Sequence, residues 1–489
     1  MDVDMAESND HDDFQQNSEA FLAWLQEKGA TISSKIKLAD LRQQCRGRGV
    51  LALHDISEDE ELFAVPRAAI LTIDTSTLPA DIKQQSDDQW LPLITAMIYE
   101  HQQGASSAWK PYFDILPNTF NTLMFWKDED LEHLEGSAVV NKIGKKSADD
   151  AFRTSILPIL KQYPEAFKLD GKSDDELLQL CHRMGSTIMA YAFDLEKPDS
   201  EQAPADDEDW EEDEDEGKLL PKGMVPMADM LNADADRNNA KLFYEEDKVV
   251  MKSIKSIPAG EEIFNDYGPL PQADVLRRYG YTSPNYEKYD VVELGLILIQ
   301  KLAKEQTKLP DKEIEERTTY LDEQGVLDDG FDVAHAANPE SEQFPEELRI
   351  VLNTLTASKE DCDKWRRKDK LPKPELTPES LQLLYTTLVH RRADYTFDTA
   401  GEEDKAARED LIHPEMAQSR RGMARSIVKA EKSILEEAAD AVERVQKVST
   451  GGQAKEKRAL STFEEESKSV REARRQTNPE RQGKKTKHS

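Results

Sequence analysis

Apolar positions change their period several times along the chain. After Ser18, which stands where an N-cap belongs, Phe21, Leu22, Trp24 and Leu25 recur at helical spacing up to Gly29. Residues 32–38, 50–53, 61–65 and 69–73 then read as short strands. Turns such as Arg46-Gly47-Arg48-Gly49 and Ser57-Glu58-Asp59-Glu60 separate them, which predicts an antiparallel meander. Helical spacing returns from about residue 89 to 195, with Leu91, Ile94 and Ile98 on one stripe and Leu177, Leu180, Met184 and Ile188 on another. Strand patterns resume at 241–244 and 248–251, flanking Glu245-Glu246-Asp247 as a hairpin, and again at 262–264. Strands on both sides of a helical insert predict an α+β unit in which distant segments must pair. From Tyr289 the pattern is helical once more, through Val291, Leu294 and Leu298, then Leu381, Leu384 and Leu388, and ends in one long amphipathic helix over about 415–448.

Composition narrows the class. With 489 residues, of which 38% are hydrophobic, the chain can build more than one sizeable core. No apolar run approaches the roughly 20 residues that span a bilayer, and Met1-Asp2-Val3-Asp4 carries acids where a signal or transit peptide carries bases, so neither a membrane span nor secretion is expected. Cys45, Cys181 and Cys362 are too few and too far apart for a disulfide framework or a zinc pair, which points to a reducing compartment and no metal.

The 98 Asp+Glu against 64 Lys+Arg leave a net charge of −34, unevenly spread. Residues 1–19 hold seven acids and 201–217 hold eleven, neither with a base, whereas 451–489 hold eleven bases against six acids. The remainder is still acidic, which opposes a direct grip on nucleic acid and suits a basic protein partner. The expected layout is a disordered acidic leader over 1–18, an α+β unit over 19–285 with an insert over about 80–222 and an acidic loop at 199–217, a helical unit over 286–449, and a disordered basic tail over 450–489. The tail, ending Gly483-Lys484-Lys485-Thr486-Lys487, reads either as a solvating terminus or as a nuclear-import patch.

The chain lacks G-x-G-x-x-G after a strand, G-x-x-x-x-G-K-[ST], H-E-x-x-H and G-x-S-x-G, so hydride, phosphoryl, zinc-protease and serine-hydrolase chemistries lose their usual anchors. Three segments remain. Arg46-Gly47-Arg48-Gly49-Val50 offers glycines that let backbone approach a ligand. Met227-Ala228-Asp229-Met230-Leu231-Asn232-Ala233 spaces Asp229 and Asn232 three apart, so that both can point to one side of a turn. Ile263-Phe264-Asn265-Asp266-Tyr267-Gly268 is followed by Tyr279-Gly280-Tyr281. Singly, each reads as a turn, a capped helix end and core tyrosines.

In this order, across a split sheet and before a helical unit, the three resemble the SET-domain protein-lysine N-methyltransferases. The likeness is to the Rubisco-methyltransferase-like class, and within it to the fungal ribosomal lysine methyltransferase branch. It extends from about Phe21 to Val448 and includes Val65-Pro66-Arg67, Pro111-Tyr112-Phe113, Leu116-Pro117, Gly260-Glu261-Glu262 and Leu276-Arg277-Arg278-Tyr279. Where most of that superfamily has Asn-His, this chain has Asn232-Ala233. The resemblance implies a SET fold of short antiparallel strands with a helical insert, followed by an all-α substrate-binding domain. It implies S-adenosyl-L-methionine held by Arg46, Gly47, Arg48, Tyr191, Asn232, Ala233 and Tyr279, with Tyr267 as the catalytic residue. Trp90, Asp194, Asp229 and Tyr279 are implied on the substrate-lysine side. The implied partner is a basic protein, a ribosomal one by the branch, met by a monomeric enzyme in the nucleus, with the cytoplasm as the other compartment. A catalytically silent SET-like scaffold, marked by Ala233, and an acidic chaperone of basic proteins are the competing readings.

Overall fold

The structure is a computed structural model that describes residues 3–44, 46–83, 90–169, 171–197, 220–396 and 418–450. The acidic loop expected at 199–217 and the tail beyond residue 450 lie outside the described residues. The described residues fall into two compact units. The first comprises Met1–Trp126, Ile143–Gly268 and Leu276–Tyr281; the second comprises Lys127–Lys142, Pro269–Val275 and Thr282–Ser489. That partition differs from a single boundary at 285/286, because two short segments from inside the expected α+β unit are drawn into the second body.

The first unit opens with α1 (Val3–Glu27), which overturns the expectation of a disordered leader and of a helix starting at Ser18. No Gly or Pro interrupts the first 28 residues, so nothing in the sequence stops the helix from extending N-terminally. Ser18 is interior, and its hydroxyl donates to Phe14 O at 2.7 Å. Phe21, Trp24 and Leu25 are buried, and Trp24 stacks within 4° of the plane of Tyr112 while its Nε1 donates to Ala108 O at 2.8 Å. The helix ends as expected at Gly29, which has φ +92°: Ala30 N bonds Leu25 O at 3.1 Å and Gly29 N bonds Gln26 O at 2.9 Å.

The strands follow as β1 (Thr31–Ile32), β2 (Ile36–Asp40), β3 (Arg48–Ala52) and β4 (Glu61–Pro66), but they do not form a meander. The Ser33 hydroxyl accepts from Lys35 N at 3.2 Å and turns the chain, so β1 pairs with β4 while β2 and β3 form their own hairpin. Residues 69–73, expected as a strand, begin in a short 3-10 turn and pair only at Leu71 with Met224. The insert then supplies α2 (Leu91–Gln103) and α3 (Asp174–Tyr191), the latter capped by Ser173 and Glu176 in a reciprocal box. From Tyr191 the chain passes into β5 (Ala192–Asp194), which pairs with β6 (Lys222–Met224).

Finally β7 (Ala240–Tyr244) and β8 (Lys248–Ser253) complete a four-stranded sheet in the order β1-β4-β8-β7. The β4–β8 pairing joins segments almost 190 residues apart, with Val65 opposite Val249 and Ala64 opposite Val250. Leu62, Phe63, Ala64 and Val65 are all buried, as a central strand requires.

Among its described residues the second unit is helical apart from one antiparallel pair, β9 (Val291–Gly295) with β10 (Gly330–Ala334). Val291, Leu294 and Leu298 therefore do not form a helical stripe: β9 alternates its burial, and Leu298 lies in the helix after it. The long amphipathic helix runs over Arg420–Thr450 and buries Met423, Ile427, Val428, Ile434 and Leu435. Glu431 on the same helix is buried; it accepts from the Ser137 hydroxyl at 2.8 Å and the Tyr395 hydroxyl at 2.7 Å.

Candidate active site

Three segments far apart in sequence are tied into one knot in the first unit. The 46–49 turn enters β3 with Gly47 at φ +67°, a conformation that favours glycine. Gly49 is glycine for a different reason: a Cβ there would stand 2.6 Å from Leu41 Cδ1, 2.8 Å from Glu262 Oε1 and 3.0 Å from Asn232 Nδ2. The Asn232 amide donates to Arg48 O at 3.2 Å and to Glu262 Oε1 at 2.7 Å, and Arg46 Nη1 donates to Glu262 Oε2 at 2.7 Å. One carboxylate thus joins the Gly-rich turn to the Asn232 segment. Nothing in the sequence reading assigned Glu262 a role, although Gly260-Glu261-Glu262 was part of the pattern.

The third segment lies against both. The strand expected at 262–264 does not form in full; residues 261–263 run alongside β3 through Ala52 N to Glu261 O at 2.9 Å and Ile263 N to Val50 O at 2.8 Å. The chain then runs parallel to the Asn232 segment, bridging Ala233 to Asn265, with Asn265 N donating to Asn232 O at 2.8 Å and Asp234 N to Asn265 O at 3.2 Å. Asn239, also missed in the sequence, clips this crossing: its Oδ1 accepts from Phe264 N at 2.9 Å and its Nδ2 donates to Glu262 O at 3.0 Å. Two residues beyond Asn265, Tyr267 stacks on Tyr279, with centroids 4.0 Å apart and planes within 10°. Tyr279 ends α4 (Gln272–Tyr279). Asp266 Oδ1 accepts from Gly268 N at 2.8 Å and closes the turn that follows Tyr267.

The arginines divide their work. The Arg48 guanidinium turns toward α1, hydrogen-bonding Ser18 and lying 4.0 Å over the Phe14 ring, so only its carbonyl takes part in the knot. Burial lowers its pKa to about 10, which leaves it charged at neutral pH. Arg46 lies over the Phe264 ring at 5.7 Å.

Beneath these segments Asp229 is buried, 6% exposed, in a 3-10 turn over Ala228–Met230. Its Oδ2 accepts from the Tyr112 hydroxyl, and its Oδ1 has no hydrogen-bond partner. Desolvation raises the Asp229 pKa to about 8, against the hydrogen bond from Tyr112 and the nearby Arg48 charge. Burial and then the Asp229 charge push the Tyr191 hydroxyl up to about 12, so it stays neutral. Trp90 and Asp194 meet elsewhere in this unit, around the ammonium of Lys222.

The donor set suits a ligand that needs backbone and aromatic contacts. It offers a glycine turn with open space at Gly47, a neutral tyrosine hydroxyl at Tyr191 and a stacked tyrosine pair. Among the described residues no three His, Cys, Asp or Glu side chains are grouped to hold a metal, and no helix is long and apolar enough to cross a membrane.

Comparisons with known proteins agree with this layout. The SET domain family matches residues 47–268, a span that takes in the three segments of the knot apart from Arg46. Ribosomal lysine N-methyltransferase 4 of Saccharomyces cerevisiae is 32% identical over 383 residues, covering 76% of this chain and 73% of that protein. N-lysine methyltransferase setd6 of Xenopus laevis is 30% identical over 362 residues, covering 71% of this chain and 76% of its own. The SET domain of LSMT, solved with lysine and AdoHcy, superposes with a TM-score of 0.61 at 19% identity, covering 88% of this chain and 91% of that one, and so shares the fold. Rubisco LSMT solved with AdoMet superposes equally well, at 20% identity. The chain belongs to the SET-domain protein-lysine N-methyltransferases.

Proposed function

We propose that this chain transfers a methyl group from S-adenosyl-L-methionine to the ε-amine of a lysine on a small basic protein of the large ribosomal subunit. The observation that carries the reading is the Glu262-centred knot, because it brings the Gly-rich turn, Asn232-Ala233 and the approach to Tyr267 together. Arg46, Gly47, Arg48, Asn232 and Ala233 would hold the cofactor, with Tyr191 and Tyr279 as its further walls. Ala233 meets the crossing segment through its backbone, so the lack of a histidine side chain there leaves this contact intact. When bound, the cofactor supplies an electrophilic sulfonium methyl.

The protein's own task is to present a neutral amine. An ordinary lysine, pKa about 10.4, loses its proton at pH 7 only at a cost of about 4.6 kcal/mol. Stacked Tyr267 and Tyr279 give one wall of a channel that disfavours the ammonium. The Tyr267 hydroxyl orients the amine, and holding it in line with the methyl supplies the proximity contribution. Trp90, Asp194 and Asp229 belong to the acceptor side. Asp229 acts there through Tyr112, against which its carboxyl is buried.

Two observations support a ribosomal substrate. The yeast relative carries ribosomal lysine methylation in its name, and a net charge of −34 attracts basic proteins while repelling free RNA. Methylation would then precede assembly, in the nucleus, where the basic tail would help deliver the enzyme. The test is transfer of labelled methyl groups into fractionated ribosomal proteins from cells lacking this enzyme. Label on one small basic protein, less of it at high salt, is expected; label confined to non-ribosomal proteins would overturn the ribosomal assignment.

A further inference from the structure

No motif or spacing singles out Lys222. Its Nζ lies 2.5 Å from Asp194 Oδ1 and 4.9 Å from the centroid of the Trp90 ring. An ammonium between an aromatic face and a carboxylate is the arrangement a binding site for a basic side chain provides. Here the chain itself supplies the ammonium.

The placement is built into the fold. Lys222 stands opposite Asp194 in the β5–β6 pair, and Leu195 N bonds Pro221 O at 2.8 Å just beyond it. On the other side Leu71 and Met224 exchange two backbone hydrogen bonds of 2.9 Å. Gly223 is packed so closely that a Cβ would lie 2.8 Å from Leu195 Cδ1 and 2.9 Å from Ile70 Cγ2. The Tyr244 hydroxyl donates to Asp194 O at 2.7 Å and fixes the acid's backbone. The Lys222 side chain is 20% exposed and its partner 53%, so the pair is open to competition from solvent-borne cations.

We propose that Lys222 is a specificity-determining residue for methyl transfer: its ammonium holds the Trp90–Asp194 pair in the free protein, and a basic side chain of the substrate must displace it. This rests on the assignment of Trp90 and Asp194 to the acceptor side. A second ammonium brought to the same carboxylate and ring meets the charge repulsion of the first, so the internal and incoming cations compete. A single loosely tethered lysine gains little by exchanging one ammonium for another. A substrate anchored by further contacts carries the exchange, and the enzyme selects for it.

The test measures kcat and KM of the full chain for the purified protein that takes up label in the experiment above, and for free lysine. Lys222→Met, which keeps the stem and removes the charge, is expected to lower KM roughly three- to tenfold with the change confined to KM. It should favour free lysine more than the protein substrate. Lys222→Arg keeps a cation and should stay close to native. Asp194→Asn should raise KM more in the Lys222→Met background than in the native one, since the acid is then no longer shared. An unchanged or raised KM in Lys222→Met, or additive effects of the two substitutions, would overturn the proposal while leaving the methyltransferase reading in place. Loss of all transfer by the native chain would overturn that reading and this proposal with it.

Discussion

Tyr267 and Glu262 have separable duties, and single substitutions can show it. Removing the Tyr267 hydroxyl leaves the stacked ring but not the group proposed to orient the amine. Tyr267→Phe should therefore lower kcat by about 10²–10³ with cofactor affinity little changed, measured by single-turnover kinetics and calorimetry. Glu262→Gln should do the reverse. The amide can still accept from Asn232 but no longer pairs with Arg46, and cofactor binding should weaken roughly tenfold while turnover at saturation survives. The residues proposed to carry function in the motif stand out in the sequence as types: tyrosines, glycines and an asparagine at family spacing. Glu262, Asn239 and Lys222 do not, because their roles depend on partners at Arg46, Phe264 and Trp90 that only the folded chain brings close.

Among the elements, the crossing of 232–234 with 264–266 sets how precisely the site is held, and Gly49 is where it tolerates least. Gly49→Ala places a methyl against Glu262 and Asn232, and should lose cofactor binding more completely than Gly47→Ala. Gly47 has open space and faces only a left-handed backbone cost of about 1–2 kcal/mol, readable as a modest drop in thermal midpoint. Strand and helix types inside the long periodic segments, such as α3 and the 31-residue C-terminal helix, followed from the 3.6-residue repeat. Short elements did not. Val291–Gly295 has apolar residues that fit either period, and pairing with Gly330–Ala334 decides for a strand. The β1–β4 pairing likewise depends on the turn at Ser33 rather than on any alternation within β1.

For the whole molecule, three buried carboxyls set an unusual pH response. Burial raises Asp229 to about 8, Asp290 to about 7 and Glu431 to about 7, all above their unfolded values of about 4. A raised folded pKa adds stability that is fully present below the unfolded pKa and is lost as pH rises through the folded one. Thermal midpoints should therefore fall between about pH 4 and pH 8, and Glu431→Gln, which retains acceptors for Ser137 and Tyr395, should flatten the part of that fall below about pH 7. A midpoint that rises across the range would contradict the buried, protonated state of these groups. The acidic balance is visible in composition. The exchange of Lys127–Lys142 and Pro269–Val275 into the second unit is not, because it reflects which core each short segment joins.

The most direct measurement is single-turnover transfer from labelled S-adenosyl-L-methionine to ribosomal proteins by the native chain and by Tyr267→Phe, with cofactor binding measured on both. Label on a lysine of one basic protein, lost in the variant while cofactor affinity persists, is the expected result. Equal labelling by the two proteins would contradict the role given to Tyr267, and absence of both labelling and cofactor binding in the native chain would contradict the site itself.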